Sequence, residues 1–97
     1  MAKNDDAFSL LMQTIGEQIF SRESDPTGVV GMLLTETLRF RDKLKNEAGI
    51  VLTVEDTRSA LEALDGFMAG KPLPNTLSSE QQTLAQLWID RLTTFKS

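Results

Sequence analysis

The chain contains no histidine, no cysteine and no tyrosine. These three residue types carry most of the nucleophilic, acid–base and transition-metal chemistry that proteins perform near neutral pH. Their absence excludes catalytic triads that depend on histidine, and it excludes bundle iron sites, which need a Glu-x-x-His motif. Without cysteine, a small secreted scaffold held together by disulfides is excluded as well. The composition therefore predicts no catalytic residue, no cofactor and no metal site.

Long apolar runs are also missing, because no run approaches the roughly 18 residues of a transmembrane helix. The N-terminus becomes acidic at Asp5 and Asp6, which is unlike a signal peptide. We therefore expect a cytoplasmic protein without a membrane partner. The initial methionine indicates a complete small gene product.

The length and charge of the chain limit the remaining choices. Ninety-seven residues correspond to a single helical domain over residues 1–97, and 40% apolar content suffices for one core. The formal net charge of −4 disfavours bulk electrostatic attraction to nucleic acids or anionic membranes.

Apolar residues recur at three- and four-residue spacing in four segments, which predicts amphipathic helices at about residues 5–22, 26–48, 54–69 and 79–95. An N-cap followed by proline, Asp25-Pro26, starts the second helix, and Gly49 stands where its C-terminal glycine belongs. Capping-box pairs precede the last two helices: Thr53 with Asp56, and Ser78 with Gln81. The links are short apart from a proline-containing loop at residues 71–77, and this favours antiparallel neighbours. The predicted fold is therefore all-α, a compact bundle of about four antiparallel helices.

The periodicity also separates core positions from surface positions. Phe67 and Met68 share the apolar face of the third helix with Leu64, and Trp88 is central in the stripe of the fourth. The connector 50–52 is apolar throughout, and we expect it to fill the core in an extended conformation.

Several apolar residues fall away from these stripes and are the predicted partner-binding residues: Leu10, Phe20, Met32, Leu38 and Ile89. The alternative is that a four-helix core wraps widely enough to cover some of them. Scattered surface apolar residues are common in monomers as well.

A basic run, Arg39, Arg41, Lys43 and Lys45, lies on the second helix. At 100° per residue, Arg39 and Lys43 project from one flank and the other two residues project from the opposite flank. We expect a solvated face with local ion pairs, with Arg39 and Lys43 as the contact if an anion or an acidic partner binds.

Two acidic pairs, Glu55 with Asp56 and Glu62 with Asp65, are the remaining candidates for chemistry, since paired carboxylates act in glycosidases. The first pair falls in the first turn of a helix, where negative charge favours the helix dipole. The second pair falls opposite the apolar stripe. Solvated surface charge therefore explains both pairs better than catalysis.

The chain is similar in type, though in no motif, to small acidic helical proteins encoded by bacteria, phages or plasmids, which act as regulators, inhibitors or chaperones. We expect a non-enzymatic protein–protein interaction module that acts by burying an apolar helix face, with a homodimer as one form of it. The alternative is a nucleic-acid-binding regulator that uses the basic run on the second helix.

Overall fold

A computed structural model describes residues 3–96, with side chains described for residues 7–94. Four helices, and no strand, occur among those residues. Helix α1 consists of Lys3–Leu11, a π-helical segment Met12–Gly16 and Glu17–Ile19; α2 is Pro26–Ala48, α3 is Val54–Met68 and α4 is Ser79–Lys96. The all-α prediction is confirmed, and the helix ends agree with the predicted ones to within about three residues.

The ends of α2 are set by the residues that the sequence indicated. The carboxylate of Asp25 accepts a hydrogen bond of 3.1 Å from the backbone N–H of Gly28, and Pro26 occupies the first turn. Gly49 closes the helix in the left-handed conformation, with φ of +68°, which glycine adopts without a steric penalty.

The capping boxes of α3 and α4 form as predicted and lie side by side. Thr53 and Asp56 exchange two hydrogen bonds of 3.1 Å, and Ser78 and Gln81 exchange bonds of 3.0 and 3.2 Å. The side-chain amide of Gln81 also donates to Oδ1 of Asp56 at 2.9 Å, which joins the two helix starts. Burial acts to raise the pKa of Asp56, but hydrogen bonds from the Thr53 backbone, Gln81 and the Thr53 side chain outweigh it and hold the pKa below its ordinary value.

One core cluster joins all four helices, and Trp88 is the largest side chain fully buried in it. Its indole Nε1–H donates to Oγ1 of Thr37 at 3.0 Å, and the Thr37 hydroxyl donates to the carbonyl oxygen of Leu33 at 2.7 Å. All three residues are buried, so this chain of bonds satisfies the polar atoms that Trp88 and Thr37 bring into the interior. It also fixes α4 against α2.

Helices α1 and α2 are antiparallel. Phe8, early in α1, lies under the guanidinium of Arg41, late in α2, at 5.4 Å from the ring centroid. Gly16, late in α1, lies against Val30, early in α2, and a Cβ atom at Gly16 would stand only 3.1 Å from a Val30 methyl group. The glycine therefore permits a close approach of the two helices.

Helices α3 and α4 run in the same direction, so the prediction of antiparallel neighbours is wrong for this pair. The hydrogen bond between Asp56 and Gln81 joins the first turns of both helices. Farther along, Leu64 of α3 and Leu92 of α4 line one pocket. Both helices therefore advance from one end of the bundle towards the other.

The proline-containing loop between α3 and α4, residues 69–78, explains this parallel pairing. Pro74 and Leu77 share a pocket with Ser59 and Ala63 of α3, so the chain leaves the end of α3 and returns along its side. An extended segment covers about 3.3 Å per residue against 1.5 Å in a helix, so the loop can reach from the end of α3 back to its start. A short link could not span the length of α3.

The bond between Trp88 and Thr37 should couple the two residues energetically. Thr37→Val keeps the shape but leaves the buried indole N–H without its acceptor, at a cost of about 1–3 kcal/mol in unfolding free energy. A double-mutant cycle with Trp88→Phe, measured by urea unfolding, should give a coupling energy of about 1 kcal/mol. Additive effects of the two substitutions would contradict the bond.

The Asp56 carboxylate should contribute to stability in its charged form. Because its folded pKa is lowered, the contribution is present above the ordinary aspartate pKa and disappears as pH falls through the folded value. Asp56→Asn should reduce the unfolding free energy by roughly 0.5–1 kcal/mol at neutral pH. The difference from the unsubstituted protein should shrink in acid. An equal difference at pH 7 and in acid would refute this assignment.

Candidate interaction surface

The exposed large apolar side chains occur in two places on the described part of the chain. Leu10 of α1 and Ile50 and Val51 of the link before α3 lie near the start of α3, and Phe67 and Met68 form its last turn. Each place adjoins a pocket between α3 and a neighbouring helix. These two pockets are the structural candidates for a binding site.

The first candidate, the α3–α4 groove, lies at the common end of the two parallel helices and measures about 140 Å³. Among the described residues its lining is apolar apart from Thr93 and comprises Leu64, Phe67, Met68, Ile89, Leu92 and Thr93. Leu64 and Leu92 form the buried floor, while Phe67 and Met68 remain 43% and 41% exposed. The groove therefore combines a fixed floor with two large side chains that are free to contact a partner.

The predicted core positions of Phe67 and Met68 are wrong, although the face assigned to them is right. Both residues belong to the same apolar stripe of α3 as Leu64, and Leu64 itself is fully buried. They lie in the last turn of α3, beyond the region where the described helices cover that face. Periodicity identifies the direction of a side chain but does not show where the covering helix ends.

The second candidate, the α1–α3 groove, measures about 320 Å³. It is lined by Ala7, Leu10, Leu11, Thr14 and Ile15 of α1 and by Val54 and Arg58 of α3. Leu10 is 64% exposed at its edge. Arg58, the only charged residue in the described part of the lining, lies 3.6 Å from the carboxylate of Glu55 in the preceding turn.

The link between α2 and α3 fills the core with one residue only. Leu52 is buried, as expected, but Ile50 and Val51 are exposed, so the prediction that the whole segment fills the core is wrong. Consecutive residues of an extended chain point in opposite directions, so Val51 faces away from the side that buries Leu52. Ile50 still belongs to the end of α2, where its backbone N–H bonds to the carbonyl oxygen of Leu44 at 3.2 Å.

The structure distributes the five predicted partner-binding residues over different environments. Leu10 is exposed, as the sequence indicated. Met32, Leu38 and Ile89 are half-buried and pack against the core, and Ile89 also lines the α3–α4 groove. Phe20 is only 1% exposed, so its prediction as a surface residue is wrong.

The π-helical segment of α1 explains the burial of Phe20. A π turn has the effect of inserting one residue into an α-helix, which rotates every later side chain backwards by about 100°. That rotation moves Phe20 from the outer face, where regular α-helical periodicity puts it, onto the core stripe. The backbone N–H of Phe20 still bonds to the carbonyl oxygen of Gly16 at 2.9 Å. Sequence periodicity contained no signal for this insertion.

The basic run forms no continuous patch. Arg41 stacks over Phe8 and lies 3.1 Å from the carboxylate of Asp42, so part of its surface is engaged with the bundle. Arg39 and Lys43 are exposed on α2. On the neighbouring α4, Arg91 is bonded to Glu36 at 3.1 Å.

The acidic pairs are used differently from each other. Asp56 is bonded to the backbone and to Gln81, where it caps α3. Glu62 and Asp65 are exposed on α3. No group of three or more potential metal-ligating residues was found among the residues that the structure describes.

Within residues 3–96, none of the helices combines the length and the apolar character needed to cross a membrane. No protein-family profile, no curated protein and no solved structure shows significant similarity to the chain. The kind of partner that each groove can bind is therefore inferred from the residues that line it.

Truncation of Phe20 and truncation of Leu10, both predicted as partner-binding residues, should differ strongly in their effect on the unfolding free energy. Phe20→Ala should lower the unfolding free energy by about 3–5 kcal/mol because it opens a cavity in the core. Leu10→Ala should change it by less than about 0.5 kcal/mol because the side chain is exposed. Chemical unfolding of both variants provides the measurement, and equal losses would contradict the placement of Phe20.

Proposed function

We propose that this protein is a non-enzymatic interaction module that binds an amphipathic helix of another protein in the α3–α4 groove. The observation that carries the proposal is the exposure of Phe67 and Met68 beside the buried floor of Leu64 and Leu92. A groove between two helices accepts the apolar face of a third, whose side chains at i, i+3 or i+4, and i+7 serve as anchors.

The chemistry of the groove suits this kind of partner. Methionine is flexible and polarisable, so Met68 can adjust to apolar side chains of different shapes. Phe67 provides a large and stiffer contact surface. Burying the exposed parts of both side chains, on the order of 200 Å², would contribute about 5 kcal/mol before the costs of association. A partner with micromolar affinity would therefore also contact residues outside the groove.

The composition of the chain supports binding rather than catalysis, since histidine, cysteine and tyrosine are absent. Occupation of the groove is compatible with an inhibitor, a regulator or a chaperone of bacterial or phage origin acting in the cytoplasm. These roles share one physical event, the burial of an apolar helix face, and they differ in what the partner does when it is free.

The alternative, a nucleic-acid-binding regulator, is supported by the exposure of Arg39 and Lys43 on one helix. The net charge of −4 opposes it, because binding to phosphates is dominated by electrostatic attraction. Helix binding is therefore the stronger proposal.

A substitution in the groove should abolish partner binding and leave the fold intact. Phe67→Asp places a charge among apolar side chains at a half-exposed position, so the affinity of a helical partner should fall at least tenfold, about 1.4 kcal/mol. The partner would first be co-purified with a tagged chain from its native host. Its binding helix would then be titrated against both forms by calorimetry.

Gln82→Asp is the matched control, because Gln82 is exposed on α4 and is not among the groove residues. This variant should bind the helix as the unsubstituted protein does, and circular dichroism should show equal helicity for both variants. Equal affinity of the Phe67→Asp variant would overturn the proposal. So would co-purification of nucleic acid whose binding is lost in Arg39→Ala with Lys43→Ala.

A further inference from the structure

Met68 is the most accessible oxidisable side chain on the described part of the chain, and it lines the α3–α4 groove. Cysteine, whose thiolate reacts readily with peroxides, is absent, which leaves four methionines and one tryptophan as oxidisable residues. Met12 and Trp88 are fully buried, and Met32 is half-buried against the core. Met68 is 41% exposed, so a peroxide in solution meets this side chain before the other three.

We infer that Met68 is a site of reversible oxidation by hydrogen peroxide, and that its oxidation lowers the affinity of the α3–α4 groove for a helix. The second half of this inference rests on the proposed function. In the reaction, a lone pair of the thioether sulfur attacks one peroxide oxygen, so that an S–O bond forms as the O–O bond breaks. The proton of the transferred oxygen passes to the departing hydroxide, which leaves as water. The sulfur loses two electrons to the peroxide and becomes a sulfoxide.

The position of Met68 determines what the sulfoxide does to the protein. Oxidation turns a flexible apolar side chain into a polar one with a hydrogen-bond acceptor. In the free protein this oxygen is hydrated, because Met68 is part of the exposed last turn of α3. The fold should therefore tolerate the oxidation. A helix that binds in the groove would instead exclude the water from the sulfoxide oxygen.

The groove does not replace the excluded water. Thr93 is the one polar residue in the described part of its lining, and the Thr93 hydroxyl donates its proton to the carbonyl oxygen of Ile89 at 2.9 Å. The apolar face of a partner helix brings no donor either. Burial of an acceptor that receives no hydrogen bond is unfavourable, so the oxidised groove should bind the helix more weakly.

Peptide mapping by mass spectrometry after timed exposure to hydrogen peroxide tests the site. Each oxidised methionine gains one oxygen atom, and the peptide that contains Met1, which lies outside the described residues, is followed separately. Met68 should be oxidised at least about tenfold faster than Met12, which peroxide reaches only when the core opens. Circular dichroism should show unchanged helicity once Met68 is oxidised. Equal rates at Met12 and Met68 in the folded protein would overturn the inference.

Calorimetry tests the effect on binding, with the helix of the co-purified partner as the titrant. Each form of the protein is measured before peroxide treatment, after it, and after reduction by methionine sulfoxide reductases with a thiol as reductant. The dissociation constant of the unsubstituted protein should rise at least about tenfold on oxidation and return on reduction. Met68→Leu has no sulfur at this position, so peroxide should change its dissociation constant by less than about twofold. Met32→Leu is the matched control, and it should lose affinity as the unsubstituted protein does.

The outcomes separate this inference from the proposed function. Oxidation of Met68 with an unchanged dissociation constant would overturn the inference and leave helix binding intact. An equal loss of affinity in the Met68→Leu variant would also overturn it, because the effect would then come from another residue. A chain that binds no helix before peroxide treatment would overturn the proposed function, and the regulation of binding with it.

Discussion

The bond between the Trp88 indole and the Thr37 hydroxyl is the constraint on which the arrangement of the helices depends. The bulk of the tryptophan fills the centre of the core, and its N–H would be an unsatisfied buried donor without Thr37. Thr37 can accept this bond because its own proton is directed to the carbonyl oxygen of Leu33. Helix α4 is thereby held in one rotational setting against α2, with Leu92 directed to the pocket that Leu64 of α3 also lines.

The parallel pairing of α3 and α4 connects this core to the proposed function. Two joined capping boxes align the helix starts, so the helices also finish side by side, and the last turn of α3 presents Phe67 and Met68 next to Ile89. A protein with a closed core would cover residues of this size. Their exposure is the reason for proposing that a third helix binds at this end of the pair.

Sequence patterns predicted the helices and their caps because these features depend on interactions within a few residues of one another, and the apolar stripe of α4 predicted the burial of Trp88. Thr53, Asp56, Ser78 and Gln81 illustrate this, since each pair acts within one helical turn. Features that are determined by distant contacts or by irregular backbone could not be predicted from the sequence. The π turn that buries Phe20, the direction of α4 and the uncovered end of α3 all belong to this class. Of the residues that line the two grooves, only Ile89 and Leu10 are among the predicted partner-binding residues.

Helices α3 and α4 lie parallel and leave Phe67 and Met68 at the surface beside the end of α4, and the proposed function depends on this arrangement. Nuclear Overhauser contacts of the Phe67 ring in solution test it most directly. In a parallel pair the ring should contact the methyl groups of Ile89 and Leu92, which line the same groove. Contacts from that ring to residues at the start of α4, such as Gln82 or Thr83, would show that the pair is antiparallel and would refute the parallel arrangement.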